Sequence, residues 1–148
     1  MKNKLIFEFS NEHTDGNASM VNLLGGKGAN LAEMSNLGIS VPPGFTITTE
    51  ACNYFMENNE LPDTLETEII NAVSKLELYS GLSFDGKSNP LLLSVRSGGR
   101  ISMPGMMDSI LNIGLNDGNI NSLVEQFNDE RFALDSYRRL IQMYSNVV

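Results

Sequence analysis

The chain is short of cysteine, histidine and positive charge. Its one cysteine, Cys52, excludes an internal disulfide and fits a reducing cytoplasm. The plain reading of Cys52 is a small residue on a half-buried helix, not a nucleophile. The sole histidine, His13, lies in a polar loop without Cys or His neighbours. A metal site or a phosphohistidine there is disfavoured, and a solvated side chain is expected. No serine–histidine or cysteine–histidine spacing supports nucleophilic catalysis. The carboxylates are scattered over solvated helix faces, and no spacing among them argues for Mg²⁺. No apolar run approaches the roughly 20 residues that cross a bilayer. The start, MKNKLIFEF, lacks a sustained apolar stretch and a small-residue cleavage site, so it reads as a strand and not a signal peptide. The expectation is a cytoplasmic protein with no membrane partner.

What is there belongs to an ordinary globular chain. With 148 residues, 41% hydrophobic and 19% charged, one core at most is expected. The net charge of −8 is not gathered in a tail. Such a chain is a poor general binder of nucleic acid or anionic membrane, since neutralising phosphates needs clustered Lys and Arg. Its few cations are unevenly placed. No Lys or Arg occurs from Gly28 to Ser74, so Lys27 stands alone at the head of that stretch, while Arg96 and Arg100 lie close together in a glycine-rich segment. If this acidic protein binds a polyphosphate, these are the candidate contacts.

Periodicity places a first strand over residues 4–9, with Leu5, Phe7 and Phe9 on one face and Glu8 on the other. A polar loop leads to Gly25-Gly26-Lys27-Gly28 and then to a helix with Leu31, Met34 and Leu37 on one face, stopped by Gly38. Val41-Pro42-Pro43-Gly44 forces a rigid link to a strand over residues 45–48. Thr48 or Thr49 then caps a helix carrying Ala51, Tyr54 and Phe55. Pro62 opens the next helix, with Leu65, Ile69, Val73 and Leu76 at near-helical spacing. Residues 81–90 read as a loop, 91–95 as a central strand, 97–107 as an exposed loop and 110–115 as a strand. Helices over 120–127 and 131–147 close the chain. Strands and helices mix without βαβ alternation, which predicts α+β, with a mixed sheet and flanking helices. Phe132, Ser136, Leu140 and Tyr144 remain in helical register with no stop signal after Val148. The domain therefore reads as incomplete at its C-terminus, as in a truncated gene product.

Three segments carry chemistry. Glycines at the mouth of a helix let backbone N–H groups approach an anion, and the helix end adds partial positive charge. Lys27 adds a point charge to that arrangement. This is not a P-loop, because the Ser or Thr after the lysine and the upstream glycine spacing are missing. Taken alone, Gly25 to Gly28 is more often a turn before a helix. Arg96, at a strand end beside Ser97 and Gly98 and close to Arg100, is placed for bidentate phosphate contact. Its bland alternative is a surface arginine paired with one of 18 carboxylates. Ser102-Met103-Pro104-Gly105-Met106-Met107-Asp108 sets three methionines around a Pro-Gly turn. They suit an adaptable apolar cover for a flat ligand such as adenine, or a loop folded back on the core.

The runs LLGGKGANLAEMSNLGISVPPGFTITTEAC, LLLSVRSGGRISMPGMMDSILNIGLND and RFALDSYRRLIQMYSNVV together resemble the amino-terminal region of the pyruvate phosphate dikinase family. They span most of the chain, and SMPGMMD is the discriminating piece. Phosphoenolpyruvate synthases share the GGK and VRS elements but resemble this loop and the following strand much less. The resemblance implies that residues 1–148 are the front of an ATP-grasp nucleotide-binding domain. In that family ATP phosphorylates a histidine on a separate domain, which passes the phosphoryl group to pyruvate. Phosphate is the second acceptor, and the products are AMP, pyrophosphate and phosphoenolpyruvate. By motif, Lys27 and Arg96 would hold the triphosphate as catalytic residues. The wider nucleotide site would take in Gly25, Gly26, Gly28, Ser97, Gly98 and Arg100, with Met103, Pro104, Gly105 and Met106 closing over the nucleotide.

Two departures qualify this. Gly99 stands where the family pattern has alanine. The Mg²⁺ ligands, a second phosphate-binding arginine, the carrier histidine and the pyruvate-binding barrel belong to later parts of the family. The implied partners are ATP and those remaining domains, and the isolated chain is expected to be inactive. Strands left unpaired by the missing subdomain invite dimerisation, so a homodimer is one expected assembly. The other reading is a non-catalytic remnant or binding module of a degraded or split gene.

Overall fold

The computed structural model describes residues 4–84, 86–98 and 109–148. The described residues fall into two compact units. One runs to Tyr79 and includes Gly98; the other takes residues from Ser80 to Ser97 and the chain from 109 on. Where one core was expected, the described residues form two clusters, one in each unit.

In the first unit, β1 (Ile6–Phe9) pairs antiparallel with β2 (Gly44–Ile47), Ile6 opposite Ile47 and Phe9 opposite Gly44. Aromatic and β-branched residues favour both strands, and Pro42-Pro43 holds the chain extended on the way into β2. The expected Leu5–Phe7–Phe9 face is only part of what is covered, because Ile6 is buried too. Leu5 and Ile6 pack with Ala51, Leu65, Ala72, Phe45 and Ile69. Glu8 accepts from Lys75 Nζ at 2.7 Å.

Between the strands runs α1 (Val21–Asn36). It stops as expected: Gly38 turns at φ 73°, and the amides of Gly38 and Ile39 donate to Ser35 O and Met34 O. The expected inner face is not the buried one. Leu24, Gly28, Ala29 and Ala32 are buried, whereas Met34 is exposed and Leu37 is 68% exposed. The reason is close approach: at Gly28 the helix lies so near Thr46 of β2 that its small-residue face must turn inward.

The helix α2 (Thr49–Asn58) is capped by Thr48, whose Oγ1 accepts from the Ala51 amide at 3.4 Å. Ala51 is buried, but Tyr54 and Phe55 are exposed. Pro62 precedes α3 (Leu65–Ser80) instead of opening it, its carbonyl accepting from the Leu65 amide at 2.9 Å. The predicted stripe is otherwise present, with Leu65 and Leu76 buried and Ile69 against the core.

In the second unit, β3 (Leu93–Val95) pairs antiparallel with β4 (Ile110–Ile113). The expected central strand over 91–95 is a three-residue member of a two-stranded ladder, with Val95 53% exposed. Among the described residues the sheets are two antiparallel pairs, not one mixed sheet. Leu93 faces Ile113 but Val95 faces Ile110, so β4 carries one extra residue. Asn112 lies in that stretch at φ 61°, the left-handed region that the G1 type of bulge uses. Its Nδ2 donates to Ser136 O at 3.3 Å. Helices α4 (Ile120–Phe127) and α5 (Glu130–Val147) follow where periodicity placed them. The Asp129 carboxylate caps α5, accepting from the Phe132 amide at 2.9 Å. Leu115, Leu123 and Ala133 form the core, with Leu92, Ile120, Val124, Tyr137 and Leu140 around them. Among the described residues no helix is long and apolar enough to cross a membrane.

Candidate functional site

Gly25 breaks α1 near its start. Its φ of 68° and ψ of 168° lie in a region that side chains essentially exclude, so the bend needs glycine. A single turn over residues 21–24 precedes it and the helix body begins after it. Amides at the start of a helix body can hold an anion where no carbonyl one turn back takes them. Gly26 is half-buried, Lys27 is exposed and Gly28 is buried. Lys27 thus sits in the opening turn of the helix body, where a cation and the helix end act on the same charge.

The bend is braced on both sides. Before it, Thr49 Oγ1 donates to Asn22 O at 2.7 Å. After it, a Cβ on Gly28 would lie 2.7 Å from Thr46 Cγ2 and 2.8 Å from Thr46 Oγ1. Gly28 therefore has a packing role of its own, independent of any ligand. The sequence reading missed Thr46 and took Thr49 only as a possible helix cap, and the Thr-Ile-Thr-Thr run was the available signal.

Arg96 follows β3 directly and is exposed, Ser97 is half-buried, and Gly98 is exposed with open space where a Cβ would stand. The ladder with β4 holds the base of this segment. Asn112 at its bulge was also missed, because nothing in Ile-Leu-Asn-Ile marks a positive φ. Arg100, Met103, Pro104, Gly105 and Met106 lie outside the described residues. Lys27 and Arg96 fall in different units, and each is described within its own.

Another missed residue supports the chain that follows β4. Asn119 is 1% exposed. Its Oδ1 accepts from the Asn116 amide at 2.8 Å and its Nδ2 donates to Gly114 O at 2.8 Å. The run Asn116-Asp117-Gly118-Asn119 announces a turn but not which amide is buried.

The remaining candidates behave as surface groups. Cys52 is exposed, not half-buried. His13 is exposed and its Nε2 lies 3.1 Å from Asp15 Oδ1. Burial pushes the Asp15 carboxyl up, but Lys4 Nζ at 2.7 Å, the Glu8 amide at 3.0 Å and His13 outweigh it and hold it below the ordinary carboxylate value. Among the described residues no three His, Cys, Asp or Glu side chains gather as a metal-ligand set.

Residues 21–80 match the family model described as the pyruvate phosphate dikinase AMP/ATP-binding domain. That stretch contains the Gly25 bend and Lys27 and ends before Arg96. Whole-chain similarity extends further. The chain is 55% identical over 146 residues, 98% of its length, to the pyruvate, phosphate dikinase of Rickettsia conorii. It is 51% identical over 146 residues to that of Clostridium symbiosum and 51% identical over 143 residues to pyruvate, phosphate dikinase 2 of Oryza sativa subsp. japonica, covering 98% and 97% of this chain. The chain spans only 17%, 16% and 16% of these three relatives.

Proposed function

Because the chain belongs to the pyruvate phosphate dikinase family, we propose that residues 1–148 are the amino-terminal part of its ATP-binding domain, with the ATP-grasp architecture. The complete enzyme would convert ATP, pyruvate and phosphate to AMP, phosphoenolpyruvate and pyrophosphate through a phosphohistidine on another domain. The observation that carries the reading is the Gly25 bend, which opens a helix body with an exposed lysine in its first turn. Backbone amides and one ammonium there favour a phosphate oxygen over water. Arg96 adds a planar guanidinium suited to two oxygens of one phosphoryl group. Both cations would neutralise charge that moves during transfer. Arg100 and the Met103, Pro104, Gly105 and Met106 segment would complete the nucleotide site.

The described carboxylates do not gather into a Mg²⁺ site. By the family resemblance the metal ligands would lie in polypeptide outside this chain, and no step is routed through its own acids. The cytoplasm remains the proposed compartment, on the strength of the single free cysteine.

Activity tests the division of labour. The chain alone should release no AMP from ATP. A chimera with this chain in place of the matching region of the R. conorii dikinase should form phosphoenolpyruvate. Loss of that activity in Lys27→Ala and Arg96→Ala chimeras is expected. Wild-type activity in both variants would refute the assignment.

A further inference from the structure

The helix α5 has more apolar surface than its own unit covers. One stripe, through Ala133, Ser136 and Leu140, faces the Leu115–Leu123 core. A second stripe lies about 90° around the helix, at 100° per residue. It consists of Leu134, Ile141 and Tyr144, with Val148 just past the helix end and Tyr137 at its boundary, where it also packs against the core. Leu134, Ile141, Tyr144 and Val148 are 51%, 55%, 52% and 81% exposed. Leu134, Tyr137, Arg138, Ile141 and Gln142 line a shallow depression along it. Within the helix the spacings of three, four and three residues from Leu134 to Tyr144 are those of a helix seam that receives another helix. A lone surface helix needs a single apolar stripe, so a second one marks a second partner.

We infer that this outer seam of α5 is an interface for a helix from the rest of the dikinase polypeptide, the part of the relatives that this chain does not span. The inference rests on the family reading in naming that partner. Two observations favour it over a second copy of this chain. The match runs through 98% of the chain but covers 17% of the relative, so most of a full-length enzyme is available to lie on the seam. Each copy also carries a net charge of −8, which opposes self-association. Arg131 lies beside the seam, and Arg138 on the same rim is paired with Asp135 at 2.8 Å.

Thiol labelling tests this directly. In a Cys52→Ser background, Ile141→Cys is introduced into the isolated chain and into the R. conorii chimera. Labelling rates are normalised to those in urea. No nucleotide is present, so the result does not depend on ATP binding. Fast labelling in the isolated chain and a rate about tenfold or more slower in the chimera is expected, since protection reflects the fraction of time the seam is open. Equal rates in both would overturn the inference. Protection in the isolated chain that grows with its concentration would overturn it too, in favour of a second copy. Should the substituted chimera fail to fold, hydrogen exchange across the matching helix of intact R. conorii dikinase gives the same reading. Rapid exchange of that helix would overturn the inference.

Discussion

The two units hold their candidate cations by opposite means. Lys27 depends on what is missing from the backbone around it: Gly25 has no Cβ to forbid its dihedrals, and Gly28 has none to hold the helix off Thr46. Arg96 depends on side-chain amides at the base of its segment. Asn112 takes up an extra residue in the ladder, and Asn119, itself buried, bonds backbone groups just beyond it. The first unit is built by close approach and the second by polar satisfaction. Bulk should therefore break the first, and loss of hydrogen bonds the second.

The largest effect is expected at Asn119. Asn119→Ala removes two 2.8 Å hydrogen bonds to the backbone and empties the space of a side chain that is 1% exposed, and should cost about 2–3 kcal/mol in denaturant unfolding. Next is Gly28→Val, which drives two methyl groups toward a stiff threonine and should cost about 1–3 kcal/mol. A Gly28→Val, Thr46→Ser double variant should recover part of that loss. Recovery tests whether Thr46 is the obstacle.

Asn112→Ala should cost about 1 kcal/mol, because alanine at φ 61° meets a penalty that glycine does not. Asn112→Gly should stay closer to wild type, since only the 3.3 Å bond to Ser136 is lost. If both variants behave alike, the side-chain bond matters more than the bulge. The smallest effect is a pH dependence at Asp15. Its carboxyl is held below the ordinary value, so its contribution is present above the unfolded-state pKa and is lost as pH falls through the lower folded value. Asp15→Asn should flatten the acid limb of stability below about pH 4, lowering stability at neutral pH by what that limb loses and leaving it nearly unchanged at low pH.

Much of this arrangement is written locally in the sequence. The helices α4 and α5, the Thr48 cap and the Gly38 stop follow from capping and periodicity, which act within one turn. The candidate residues Lys27 and Arg96 could also be picked out, because cations are scarce and both lie beside glycines. What could not be read depends on partners distant in sequence. Gly28 turns the small-residue face of α1 inward only because Thr46 stands beside it, and that left Met34 and Leu37 outside. Ile6 is buried because α2 and α3 also reach β1. The positive φ of Asn112 arises from ladder register, which no property of Ile-Leu-Asn-Ile declares.

The central claim is that this chain carries phosphate-binding residues for ATP. Calorimetric titration with Mg-ATP of wild type, Lys27→Ala and Arg96→Ala tests it most directly, with folding checked by circular dichroism. Binding by wild type that weakens about tenfold or more in each variant is the predicted result, since each removes a charge-assisted phosphate contact. Equal affinity in all three, or no binding by a folded wild-type chain, would contradict it.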